Sequence, residues 1–159
     1  MNKVKVFLQK KDVVISARRY FIDAMSAMTL GLFASLIVGT ILKVIGEQLG
    51  LEIVVTIGKE AMAMMGPAVG VAVAYGLKAP PLVLFSSAIS GAVGASLGGP
   101  VGAFLAAVVG TELGKLVSKE TKIDIIVTPA VTIICGVLVG TFVGPYIDAL
   151  MKGLGSLIM

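Results

Sequence analysis

Apolar residues run along this chain in stretches too long for a soluble core, and the charged residues mark where each stretch stops. Residues 79–111 form thirty-three positions without a charge. One lipid crossing needs only about 20 apolar residues, so this run is too long for a single ordinary span. Its middle reads Gly98-Gly99-Pro100, where proline removes a backbone donor, restricts the residue before it, and paired glycines ease a bend. The pattern predicts two short glycine-rich arms, residues 81–97 and 101–116, each about 24 to 26 Å long at about 1.5 Å per residue. Either both arms cross in tilted or thinned surroundings, or they form a re-entrant hairpin. Non-helical backbone at that depth persists only inside protein or beside a wet cavity. The run is therefore the leading candidate for a pathway or a site.

The remaining stretches follow the same logic. Residues 24–42 are uncharged and end at Lys43, a span of ordinary length, with Gly31, Ser35 and Gly39 on one face as a packing seam. Residues 44–60 carry Gly46, Glu47, Gly50, Glu52 and Lys59 and read as a loop with room for a short surface helix. A second apolar segment, 61–77, opens on Met62, Met64 and Met65 and is broken by Gly66-Pro67; its continuous helix is expected from Pro67, since proline suits a first helical turn. Lys78 and Pro80-Pro81 then predict a tight turn. After the central run, Glu112, Lys115, Lys119, Glu120, Lys122 and Asp124 make residues 112–124 the most charged internal stretch, read as a polar turn or two beyond the bilayer. Residues 125–147 give a last span interrupted by Pro129, with Gly136, Gly140 and Gly144 strictly four apart; the tail 150–159 is too short to cross.

Upstream, Lys3, Lys5, Lys10, Lys11, Arg18 and Arg19 alternate with Val4, Phe7, Leu8, Val14, Ile15, Phe21 and Ile22 at helical spacing. That pattern fits a basic amphipathic helix on an anionic leaflet; a solvated charged leader is the alternative. The chain thus divides into an interfacial helix, residues 1–22, and a transmembrane domain, residues 23–159. The expected fold is an all-α integral membrane protein with three full transmembrane helices, the pair of short arms and the N-terminal amphipathic helix.

Composition supports this class. With 57% hydrophobic and 14% charged residues and a mean hydropathy of +1.05, the chain lies well outside ordinary soluble domains. The net charge of +4 does not point to nucleic acid, because the basic residues sit at the edges of apolar runs. Counting them orients the chain: with the N-terminus inside, the inner segments hold ten Lys and Arg and the outer ones three, Lys43, Lys59 and Lys152. The N-terminus is then cytoplasmic and the C-terminus outside.

Candidate chemistry is sparse. There is no His, and the single Cys135 excludes a disulfide or a cysteine metal site within one chain. No catalytic motif is present, so neither enzyme activity, a cofactor nor a metal is expected. Glu60 and Glu112 stand nearest the apolar segments. They are read either as helix-end residues reaching the interface or as carboxylates accepting hydroxyls of a polyol. Ser86, Ser87 and Ser90, with opened backbone at Gly98 and Gly99, could supply neutral polar groups to a solute; bonding to their own helix is the plainer role. The methionines near the second segment are core filling.

Three stretches carry a resemblance: MMGPAVGVAVAYGLKAPPLVLFSS from Met64, GGPVGAFLAAVVGTELGKLVSKETKIDIIVTPAVTI from Gly98, and FLQKKDVVISARRYFIDAMSAM from Phe7. They resemble the N-terminal half of EIIC-like membrane proteins of the sugar phosphotransferase system, in the branch that includes perfringolysin-regulator-like proteins. The resemblance implies a bacterial inner-membrane protein that is a sugar permease or a regulator. Sugar-transporting relatives depend on separate phosphoryl-transfer domains, and without any His this chain is not expected to carry a phosphoryl group itself. The expectation is a transporter module for a sugar or similar small polar solute. It would work as a homo-oligomer in the lipid bilayer, because three spans and two short arms enclose no pathway alone. The alternatives are a non-transporting regulator or scaffold, and a glycine-zipper pore.

Overall fold

The computed structural model describes residues 3–158, all of whose regular structure is helical. Met1, Asn2 and Met159, the outer ends of the predicted leader and tail, lie outside the described residues. A short helix α1 (Lys3–Lys10) is followed by a long α2 (Arg19–Leu49), then α3 (Glu52–Ala63), α4 (Met65–Gly76), α5 (Pro81–Val117) and α6 (Asp124–Ile158). Three of these, α2, α5 and α6, are long and apolar enough to cross a membrane; α3 and α4, bent by 49° about Met64, make a fourth if counted as one span. Helix α5 meets the length criterion as one element, yet it is folded in two.

The fold in α5 is local backbone chemistry. Gly98 has φ −142° and ψ 18°, and Gly99 has φ 63° and ψ −155°, a region essentially reserved for glycine. Gly94 and Gly102 would stand about 12 Å apart along an unbroken helix. Instead a Cβ placed on Gly94 would collide with the Gly102 carbonyl oxygen and lie 2.8 Å from the Ala106 Cβ. The two arms therefore pack against each other as a hairpin, with its tip at Gly98-Gly99 and its base at Pro81 and Val117.

Small residues weld the other helices to this hairpin. On α6, a Cβ on Gly136 would strike the Ser90 side chain, one on Gly140 would come 3.2 Å from Gly94, and one on Gly144 would come 2.7 Å from the Leu97 Cβ. The predicted glycine stripe thus runs along the outer half of the hairpin, from Ser90 to the tip. On the other side, α4 lies along the first arm, with Gly66 facing Ala92 and Ala95 and Gly70 facing Ser87. The seam on α2 packs on the bent pair, Gly31 against Ala68 and Gly39 against Gly58. The buried apolar core is Ala24, Val69, Val73, Leu77, Ala103, Phe104 and Ala107, where α2, α4 and the second arm meet.

Several boundaries differ from expectation. The stretch 44–60 is helical on both sides of a turn at Gly50-Leu51; Gly50 has φ 68° and stops α2, whereas Gly46 is a contact with Val55 and stops nothing. The break in the second segment falls at Met64, and Gly66-Pro67 sit in the first turn of α4. Pro129 lies inside α6, which continues unbroken through the predicted tail to Ile158. Pro129, the sixth residue of the helix, removes one intrahelical donor without ending it. The leader is helical only to Lys10, because Asp12 takes φ 57° and Val13 to Ser16 are extended or irregular. Arg19 already belongs to α2.

Candidate functional site

Two places in the structure gather chemistry: the level of the hairpin tip and the base of the hairpin.

At the tip level, two helices are broken side by side. Gly66, just after the Met64 break, touches Ala92 and Ala95 of the first arm, within two turns of the Gly98-Gly99 kink. A cavity of about 360 Å³ lies there, lined by Met62, Met64, Met65, Pro67, Ala95 and Ser96 among others. Gly98 is enclosed, since a Cβ would sit 3.0 Å from the Gly144 carbonyl oxygen, while Gly99 has open space around it. Helix ends leave some peptide groups without intrahelical partners, while at the Met64 break the N–H still donates to the Glu60 and Ala61 carbonyls and the carbonyl accepts from Ala68.

The predicted serines serve packing. Ser86 donates to the Leu82 carbonyl at 2.6 Å and Ser87 to the Leu84 carbonyl, each within its own helix. Ser90 is fully buried and donates across to the Thr132 carbonyl of α6 at 3.0 Å, tying the first arm to the last helix. Each hydroxyl can still accept a bond, but Ser87 and Ser90 are fully buried and none of the three lines the tip cavity. Glu60 is exposed near the end of α3, far along the chain from the serines and from Glu112, and the structure does not bring it to them.

Glu112 has a different setting from the one expected. The segment read as polar turns beyond the bilayer is buried there: Glu112 is 8% exposed and Lys115 only 2%. Lys115 Nζ donates to the Asp12 carbonyl and the Leu77 carbonyl, both at 2.7 Å, and pairs with Glu112 Oε1 at 3.2 Å. Glu112 Oε2 accepts the Tyr20 hydroxyl at 2.8 Å. Arg19 donates to both Asp12 carboxylate oxygens, at 3.1 and 3.0 Å, and to the Leu77 carbonyl at 3.0 Å. Each buried charge has an opposite partner and further donors or acceptors, the condition under which burial of ions is tolerated. Arg19, Lys115 and Asp12 were missed as network members because two of the acceptors are main-chain carbonyls from distant segments.

This network closes the hairpin base, where the leader, the turn after α4 and the turn after α5 come together. Lys11 joins the Ser118 carbonyl and the Glu120 carboxylate. The Arg19 guanidinium beside Asp12 holds its carboxyl below the ordinary 3.8, with burial opposing. Glu120 is likewise held below its ordinary value by the bond from Lys11. A cavity of about 490 Å³ opens between these segments. Among the described residues no His, Cys, Asp and Glu are grouped as a metal site would require.

A helical bundle with paired breaks at one depth fits many transporters, and the sequence comparison decides between them. Residues 22–159 match the family described as Phosphotransferase system, EIIC. The chain belongs to this EIIC family. No curated protein and no solved structure shows significant similarity to it. With its apolar helices, membership makes the chain a membrane-embedded module of a phosphotransferase transporter. The match begins at Ile22, so α1 and the leader turn lie outside it and the hairpin lies wholly within.

Proposed function

We propose that this EIIC module carries a sugar or a similar small polar solute, bound where the two broken helices lie side by side, and that it works as a homo-oligomer. The observation that carries the reading is the pairing of the Met64 break with the Gly98-Gly99 kink at one depth among apolar helices. Opened helix ends supply polar groups to a solute without placing a charge in lipid. Gly98 and Gly99 shape the site, and Ser86, Ser87 and Ser90 contribute acceptor lone pairs on the arm between the breaks. Glu60, near the end of α3, is the carboxylate closer in sequence to the Met64 break, whereas Glu112 stays at the base, held by Lys115 and Tyr20. The oligomer belongs to the proposal because α2, the bent pair of α3 and α4, α6 and one hairpin make too small a bundle to enclose a solute path alone. The hairpin base, rich in Lys and Arg, faces the cytoplasm of a bacterium, and Ile158 the outside.

The test is uptake. The purified chain in liposomes, with its oligomer mass measured in detergent, is expected to admit at least one labelled sugar saturably, with competition by the unlabelled sugar. A folded oligomer that admits none of a broad sugar panel overturns the proposal and favours a regulator. One observation supports that second reading: the leader, outside the family match, is fastened to the hairpin base by Lys11 and Asp12.

A further inference from the structure

The cavity at the hairpin base has an unusual composition. It is lined by Lys10, Lys11, Lys78, Lys115 and Lys119, against two carboxylates, Asp12 and Glu120. Lys115 and Lys11 are spent on carbonyls and on Glu112 and Glu120. The ammonium groups of Lys10, Lys78 and Lys119 meet no hydrogen-bond or ion-pair partner among the described residues. Asp12, Lys78 and Lys119 are also the described non-glycine residues with positive φ, at 57°, 60° and 63°. That conformation is unfavourable for L-residues, and here three separate turns adopt it around one cavity. Three helix C-termini offset part of the lysine repulsion, and Asp12, Glu120 and Asp124 act on Lys78, Lys10 and Lys119 through space without bonding their ammonium groups.

A second observation concerns what lies below. Lys78 also lines a neighbouring groove of about 910 Å³, walled by Ile22, Ala27, Leu30 and Tyr75, with Asp23 as its one carboxylate. Ala27, Leu30 and Tyr75 continue into the apolar groove between α2 and α4. A cationic cup therefore joins, through Lys78, a long apolar trough on the lipid-facing side. A free phosphate ion would use the cup alone. A phospholipid would use both, its headgroup phosphate among the lysines and an acyl chain along the trough.

We propose that this cup and trough bind one anionic phospholipid, with Lys10, Lys78 and Lys119 holding its phosphate. The site is separate from the solute path, and it stands whether or not the chain moves sugar.

The experiment uses the full chain in nanodiscs of phosphatidylcholine with phosphatidylglycerol, followed by native mass spectrometry of lipid retained after release. Wild type is expected to keep one phosphatidylglycerol. Lys78→Gln with Lys119→Gln should lower its retention about thirtyfold, taking two surface lysines at their usual strength. Lys3→Gln with Lys5→Gln, which removes the same charge from α1 outside the cup, should leave it unchanged, and circular dichroism should show equal helix content in all three. Equal losses in the two double variants would mean diffuse surface attraction and overturn the site. Retention of phosphatidylcholine as strongly as phosphatidylglycerol would overturn it too. Release of the lipid by millimolar inorganic phosphate would assign the cup to free phosphate and overturn the lipid.

Discussion

Replacing Lys115 by Met removes the centre of the base network while keeping side-chain length and apolar stem. The structure sets the size of the effect. Breaking a buried ion pair by deleting one partner costs about 3–5 kcal/mol, because the other charge stays buried without compensation. Two features reduce this: Glu112 keeps the Tyr20 hydroxyl, and the Leu77 carbonyl keeps Arg19. The expected loss is then about 2–4 kcal/mol. Glu112→Leu should cost about 2–3 kcal/mol, since Lys115 retains its two carbonyl acceptors but no counter-charge. The double variant leaves only a tyrosine hydroxyl and two carbonyls to be re-satisfied, about 1–2 kcal/mol. The coupling between the sites is therefore about 2 kcal/mol or more, large for neighbouring residues. Reversible unfolding in mixed detergent micelles, followed by helicity, measures all four corners of the cycle. Single variants that add to within about 0.5 kcal/mol would mean that the two charges act independently, and the account of a buried, mutually dependent network would fail.

The hairpin tip and the leader yield two more expectations. Gly99→Ala should destabilise by about 1–3 kcal/mol through backbone strain alone, because its Cβ meets nothing within 4 Å; unchanged unfolding would mean that the tip does not hold φ 63°. The bond from Arg19 depresses the Asp12 carboxyl, so its contribution is fully present above the ordinary value of 3.8 and is lost as pH falls through the lower, folded value. Amide protection at Val13 should therefore stay level from neutral pH down to about pH 5 and fall only in stronger acid. Asp12→Asn should lose protection already at neutral pH, and a variant as protected as wild type would show that Arg19 does not anchor this turn.

How much of this was readable in the sequence depended on the range of the interaction. The break at Gly98-Gly99 was readable because it rests on three adjacent residues whose backbone preferences are intrinsic. The face formed by Gly136, Gly140 and Gly144 was readable because helical period alone puts them together, although Leu97 and Ser90 as their contacts were not. Gly46 and Gly50 looked alike in sequence, yet one packs against Val55 and the other terminates a helix. Only the tertiary partner separates those roles. Lys115 was misjudged for the same reason. Three residues after Glu112 it resembles a solvated helix pair, and its burial depends on Asp12 and Leu77, 103 and 38 residues away. Of the candidate site residues, Glu112 sits in the base network, Ser86, Ser87 and Ser90 lie on one arm, Gly98 and Gly99 form the tip, and Glu60 stands apart on α3.

The two ends of the hairpin are restrained by different kinds of force. At its root, directional and charged bonds from three sequence-distant segments fix the angle at which both arms leave. At its far end, the described contacts are non-directional: Leu97 and Gly98 lie against Gly144 of α6, and Ala92 and Ala95 against Gly66 of α4. The root therefore resists rotation through bond geometry, whereas the apex keeps its place through shape alone, so added volume at Gly144 or Gly66 would displace the apex and leave the root in register.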